Sequence, residues 1–253
     1  MKKLNNKSVV ITGGSGGIGA AAAKLMLDEG AKVLLVDIDE KALKKTSDDL
    51  DSKDVHVFKA DVSDAKQVKA YADKAKELFG NVDVFFNNAG IEGVVKPLEE
   101  YPLDMYHKLI DINVNGVYYG LRYIFPLMKD KGGSVIITSS VAGLGGTPNV
   151  LPYVTSKHAI IGMMRSAALE GAAHKIRVNT INPSPVDNRM MRSLEEGFAP
   201  GAGKEAKSGF EQSIPLKRYA TNEEVAAAAL FLAGEESSFI TGVVLPVDGG
   251  MTA

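Results

Sequence analysis

Cysteine is absent from the 253 residues. Its absence excludes disulfides, thiolate nucleophiles and cysteine-based metal sites, and fits a protein that does not depend on an oxidising compartment. An excess of one charge is also missing: 29 basic and 31 acidic residues leave a net charge of −2, interspersed rather than gathered in blocks. The electrostatic footprint of a phosphate-backbone binder is therefore lacking, and no nucleic acid partner is expected. Histidine is sparse, and His56, His107, His158 and His174 stand without ligand spacing, so no metal is expected. Nowhere do about 18 apolar residues follow one another, which argues against a membrane-spanning helix. The basic start Met1-Lys2-Lys3 runs into Asn5, Asn6 and Lys7 rather than an apolar stretch, so no export signal is read. Together these absences predict a soluble, cytoplasmic protein without a membrane partner.

What is present suits one enzyme-sized domain spanning 1–253, since 45% of the residues are hydrophobic and 24% charged. The β-branched run Ser8 to Thr12 leads into Gly13-Gly14-Ser15-Gly16-Gly17-Ile18-Gly19 and an alanine-rich stretch to Leu27, a strand, glycine turn and helix. Glycines there let backbone N–H groups approach a phosphate at the positive end of the helix. The second strand, Lys32 to Val36, ends at Asp37, about 20 residues beyond the loop, where a carboxylate can accept hydrogen bonds from an adenosine ribose. The same carboxylate would repel a 2′-phosphate, and no Arg or Lys stands at Ser15 or Ile38 to attract one, so NAD is expected over NADP.

The rhythm continues with a helix at Glu40 to Leu50, a strand at Val55 to Lys59 ending near Asp61-Val62, and a helix at Ala65 to Phe79. A fourth strand, Val82 to Phe86, runs into Asn87-Asn88-Ala89-Gly90. Asp61 and Val62 are placed to bracket an adenine ring, and the small residues after the fourth strand let a ligand rest on the backbone. A long helix is read from Leu103 to Met128 with Asn113 in its middle, a fifth strand at Ser134 to Thr138, and a sixth at Arg177 to Ile181. A helix begins at the capping box Thr221-Asn222-Glu223-Glu224, and Val243 to Val247 is the last strand. This alternation predicts an α/β fold with ligand contacts gathered at the carboxyl ends of parallel strands.

Tyr153 and Lys157 are four residues apart and share a helical face, with Ser139-Ser140 shortly upstream. An unperturbed phenol has a pKa of about 10, so proton chemistry by Tyr153 needs nearby positive charge, which Lys157 can supply.

Together the Thr12-to-Gly19 loop, Asp37, Asp61-Val62, Asn87-Asn88-Ala89-Gly90, Asn113, Ser140, Tyr153 with Lys157, Pro183 and the terminal Val247-Asp248-Gly249-Gly250 resemble the short-chain dehydrogenase/reductase family across essentially the whole chain. The resemblance implies a three-layer Rossmann-type, doubly wound parallel sheet with helices on both faces. It implies Tyr153 as general acid/base, Ser140 bound to the same substrate oxygen, and Lys157 lowering the pKa of Tyr153 while holding the nicotinamide ribose. Asn113 would organise a water-linked relay behind Lys157. NAD contacts are implied for Gly13, Ser15, Gly16, Gly17, Ile18, Gly19, Asp37, Ile38, Asp61, Val62, Asn88, Ala89, Gly90, Tyr153, Lys157, Pro183, Val186 and Asn188. The family's frequent Pro-Gly-x-Val-x-Thr is here Pro183-Ser184-Pro185-Val186-Asp187-Asn188, with an amide in place of the usual hydroxyl.

The expected activity is NAD(H)-dependent interconversion of a secondary alcohol and a ketone, in a homotetramer. Segments 92–97, 141–151 and 183–186 are expected to wall the substrate, and being rich in Val, Leu, Pro and Gly they favour an uncharged, largely apolar one, although Glu92, Asn149 and Arg189 offer polar contacts. Residues 187–214 break the strand and helix rhythm and are read as a lid rather than a disordered insertion. A catalytically idle NAD-binding regulator is the alternative, opposed by the joint presence of Ser140, Tyr153, Lys157 and Asn113. Reduction of a carbon–carbon double bond is disfavoured because enoyl reductases of the family usually space Tyr and Lys more widely.

Overall fold

The computed structural model describes residues 2–253. Seven strands form one sheet: β1 (Ser8–Thr12), β2 (Lys32–Asp37), β3 (Val55–Lys59), β4 (Val84–Asn87), β5 (Gly133–Thr138), β6 (Ile176–Pro183) and β7 (Val244–Val247). Their order is β3-β2-β1-β4-β5-β6-β7, and every neighbouring pair is parallel. Because successive side chains leave a strand on opposite faces, the runs of Val, Leu, Ile and Phe feed two cores. Val10, Leu34, Phe85 and Val135 pack on one face beneath α3 (Ala65–Phe79), α5 (Gly116–Ile124) and α6 (Leu151–Ala172). Val9, Ile11, Val33, Leu35 and Phe86 pack on the other, beneath α1 (Gly17–Asp28), α2 (Glu40–Leu50) and α9 (Asn222–Ala233). The result is the three-layer, doubly wound α/β fold. Strand order reverses between β1 and β4, which opens a crevice at their carboxyl ends.

Three of the helices on the sheet begin where short polar side chains satisfy their first N–H groups. Asp39 caps α2, Asp64 caps α3, and Thr221 with Glu224 forms a complete capping box on α9. Glu224 is also held by Arg218 through contacts of 2.8 and 2.6 Å, which keeps its carboxyl low, at about 2.

Three expectations need correction. The fourth strand begins at Val84 rather than Val82, because the Val82 N–H is drawn to Leu127 O, outside the sheet. The long helix over 103–128 is broken into α4 (Leu103–Ile110), a π-helical turn (Asp111–Asn115), α5 and a 3₁₀ turn (Phe125–Leu127). The π turn carries Asn113 inward, where it is fully buried, so the solvent-facing orientation usual for a mid-helix Asn does not apply. Residues 187–214, read as breaking the strand and helix rhythm, hold α7 (Arg189–Phe198) and α8 (Gly203–Ser213). These two short helices close a small core of Met191, Leu194, Phe210, Ile214 and Tyr219. Gly197, which reads as a breaker, lets α7 lie on Val95, since a Cβ there would stand 2.7 Å from Val95 Cγ2.

Replacing Thr221 with Ala removes the α9 cap and is expected to lower the unfolding free energy by about 1 kcal/mol. Urea titration checks this through a lower midpoint at unchanged slope.

Candidate active site

The cofactor half of the crevice is built around the turn after β1. Gly13 has φ +63°, and a Cβ on it would come within 3.0 Å of Ala89 Cα, so glycine alone lets the turn rest on the end of β4. Gly16 begins α1 without any side-chain cap, and the N–H groups of Gly17, Ile18 and Gly19 find no acceptor among the described residues. An uncapped, glycine-lined helix start fits the pyrophosphate of a dinucleotide. At the end of β2, one oxygen of Asp37 accepts from the Ser15 N–H at 3.1 Å and the Ser15 hydroxyl at 2.6 Å, and the other accepts from the Ile38 and Asp39 N–H groups. Four donors from the chain thus fix the carboxylate at the end of β2. Ile38 beside it is 60% exposed, an apolar surface open to an adenine. Asp61 accepts from Ser63, whereas Val62 is buried against Gly116, so the aliphatic half of that expected pair serves the core.

Asn88 and Asn113 lie at the site, but their amides act on the protein itself. Asn88 donates to Thr12 O at 3.2 Å and accepts from Thr138 Oγ1 at 2.9 Å, tying β1, β4 and β5 together. Asn113 accepts from Ile91 N–H at 2.8 Å, donates to Ile91 O at 2.9 Å, and donates to Ser156 Oγ at 3.2 Å. That leaves one lone pair for any relay, so its side chain is chiefly a clamp on the segment after Gly90. Asn188, expected to replace a hydroxyl in the cofactor site, caps α7: its Oδ1 accepts from Met190 and Met191 N–H groups, and its Nδ2 donates to Asn222. Val186 keeps its backbone free, because the bridge beside it runs from Asp187 N–H to Ala220 O and from Ala220 N–H to Pro185 O.

The chemical half sits at the start of α6. Lys157 is buried, donates to Thr138 O at 3.0 Å, and holds its Nζ 5.4 Å from the centre of the Tyr153 ring. Ser140 ends the stretch after β5, with its hydroxyl donating to Pro183 O at 3.4 Å and accepting from Ala142 N–H. Dense surroundings push the Tyr153 phenol up to about 12; the Ser140 hydroxyl works against this, and the Glu92 charge adds to it. Burial likewise brings Lys157 down to about 8. Loss of water around the phenol is the largest effect on Tyr153 in this structure.

Four further side chains, Thr12, Thr138, Ser156 and Asn182, hold the site together, a role the sequence alone does not assign to them. Thr12 Oγ1 receives the N–H groups of Asn88 and Ala89 at 3.0 and 3.1 Å, and Asn182 donates to Ser140 O at 2.8 Å. Each is a hydroxyl or amide at a strand end or on the inner face of α6, a signal too common to stand out unaided.

A proton-handling hydroxyl beside a loop shaped for a pyrophosphate is the arrangement of a dinucleotide-dependent oxidoreductase, the class to which fold and site assign this chain. A family model described as "Enoyl-(Acyl carrier protein) reductase" matches residues 13–252. Levodione reductase of Leifsonia aquatica is 36% identical over 256 residues, covering 99% of this chain and 96% of that protein. Cyclohexanol dehydrogenase of Acinetobacter sp. (strain SE19) is 34% identical over 254 residues, with 99% and 97% covered. The crystal structure of levodione reductase superposes with a TM-score of 0.95 over 98% of both chains, at 36% identity. That of NAD+-bound xylitol dehydrogenase gives 0.93 at 33% identity, over 98% of this chain and 100% of the other. The chain belongs to the short-chain dehydrogenase/reductase family.

The lowered pKa of Lys157 has a cost in stability. The folded chain releases this proton more readily than the unfolded one, so the penalty is full below pH 8 and fades as pH rises towards 10.5. Lys157→Met is therefore expected to be more stable than the parent at pH 7 by roughly 1–3 kcal/mol, with the advantage shrinking at higher pH. Chemical unfolding at several pH values checks it, and a variant less stable at pH 7 would contradict it.

Proposed function

We propose that this protein is an NAD(H)-dependent oxidoreductase that interconverts a secondary alcohol and a ketone, with Tyr153 as the general acid/base. The observation that carries the reading is the half-buried Tyr153 beside the buried Lys157 on α6, faced by Ser140 and set at the same sheet edge as the uncapped glycine loop. NAD supplies the hydride acceptor, and NADH the donor, on the substrate carbon. The protein then manages the oxygen. Ser140 and Tyr153 hydrogen-bond it, and Tyr153 gives its proton to the oxygen during reduction or takes one during oxidation. Below about pH 8 Lys157 carries its charge next to the Tyr153 ring and favours the phenolate, while its bond to Thr138 O fixes its direction.

Gly13 to Gly19 would hold the pyrophosphate, Asp37 the adenosine ribose, and Ile38 with Asp61 the adenine edge. Gly90, Pro183 and the free Val186 backbone would border the nicotinamide. A carboxylate at Asp37 would repel a 2′-phosphate and so favours NAD over NADP. The relatives named for levodione and cyclohexanol support an uncharged cyclic substrate, in keeping with the apolar residues of the expected wall. The four-residue spacing of Tyr153 and Lys157 favours the carbonyl over the double-bond chemistry in the family model's description. Helices α7 and α8 are the lid, since α7 follows β6 directly and rests on the segment after Gly90. We further infer a cytoplasmic homotetramer, on the family resemblance and the cysteine-free composition.

Tyr153→Phe is expected to lower kcat for NAD-linked alcohol oxidation by at least about a hundredfold, the range of a lost general acid/base. NADH binding, followed by fluorescence titration, should stay within about twofold of the parent. Undiminished turnover by this variant would overturn the assignment. Asp37→Ala should shift the NAD to NADP preference towards NADP by about tenfold or more, measured as the ratio of kcat/KM values.

A further inference from the structure

Glu92 is a buried acid that the chemistry above does not use. It is 8% exposed, and among the described residues it accepts no hydrogen bond and joins no ion pair. A carboxylate set this deep in the crevice with no donor from the described residues, its oxygens still reached by solvent, is open to a ligand that donates to it.

Its position is fixed tightly. The preceding residue, Ile91, has both its N–H and its carbonyl gripped by Asn113, at 2.8 and 2.9 Å. Two residues back, a Cβ on Gly90 would stand 3.6 Å from Lys157 Nζ. Two residues on, Gly93 turns the chain with φ +74°, and Val95 then meets Gly197 of α7. Glu92 therefore lies on the stretch that runs from beside the catalytic lysine to α7, and its charge adds to the raised pKa of the Tyr153 phenol. With the reacting oxygen at Ser140 and Tyr153, Glu92 stands at the head of segment 92–97, the wall expected for the rest of the substrate.

We propose that Glu92 is a specificity-determining residue that accepts a hydrogen bond from a second hydroxyl of the substrate, so that the preferred substrate is a diol or hydroxyketone. A carboxylate only accepts, so a second carbonyl at this place would be repelled and a plain hydrocarbon edge would leave the charge unpaired. A hydroxyl donates to it and carries no charge that would disturb Lys157. This rests on the alcohol/ketone reading of the site and refines it: the substrate is mostly apolar but carries one polar handle.

The test measures kcat/KM with NAD for cyclohexanol and for the 1,2-, 1,3- and 1,4-cyclohexanediols, stereoisomers separately, in the parent, Glu92→Gln and Glu92→Leu. NADH titration confirms that each variant is folded. The parent should favour at least one diol over cyclohexanol by about tenfold or more, the contribution of one hydrogen bond to a charged acceptor. Glu92→Leu should bring that ratio down about tenfold, mainly through the KM of the diol, while Glu92→Gln, which keeps an acceptor oxygen, should fall between. A parent ratio near one, or a ratio unchanged in Glu92→Leu, would overturn the role of Glu92 while leaving the alcohol dehydrogenase reading intact. A parent that oxidises none of these alcohols but binds NADH would overturn both.

Discussion

The hydroxyl of Thr12 is the contact on which the site depends. It receives the N–H groups of Asn88 and Ala89 and thereby joins the ends of β1 and β4, where the strand order reverses. From there a line of hydrogen bonds runs through the Asn88 amide to Thr138 Oγ1, and Thr138 O receives the Lys157 ammonium. The glycine turn is attached at one end of this line, because Asn88 also donates to Thr12 O. The catalytic lysine is attached at the other. A loop that binds a phosphate and a helix that handles a proton are thus held in register by one set of short polar side chains.

The site concentrates groups that a stable core would avoid. Lys157 is buried, Tyr153 is half-buried beside it, and Glu92 lies deep in the crevice without a donor from the described residues. Each is tolerable because a rigid surround fixes it: Thr138 holds the lysine, and Asn113 grips the chain beside the glutamate. The cost is spread over two hydrophobic cores that sandwich the sheet. Withdrawing the phenol from water raises its pKa to about 12, so the ligand-free site is poised with a protonated tyrosine. Positive charge brought next to it, from Lys157 and from an oxidised cofactor, works in the opposite direction, so the titration belongs to the ensemble.

Much of the fold was legible in sequence where local signals agreed. The bounds of α2, β3 and α3 coincide with their patterns because polar caps, apolar periodicity and Gly80 all mark the same residues. The break inside 103–124 was hidden, since a π turn keeps helical periodicity on both sides while adding one residue between them. Helices α7 and α8 were hidden by their glycines. Gly197 reads as a breaker until Val95 is seen to need the space of a missing side chain. Asn188 shows the same limit, for its departure from the family pattern takes meaning only from the helix it caps.

By itself, the sequence determined the reaction class. The glycine turn, Asp37 and the Tyr153–Lys157 spacing are local or short-range features, and parallel strands bring their carboxyl ends to one edge whatever the details of packing. Tertiary structure alone decided which polar groups face a ligand and which serve the scaffold. Asn88, Asn113 and Asn188 turn their amides onto backbone groups tens of residues away or onto a helix end, whereas Glu92 is left with nothing to accept. The physical reason is that a polar side chain's role depends on the partners within about 3 Å of it, and those partners come from distant parts of the chain.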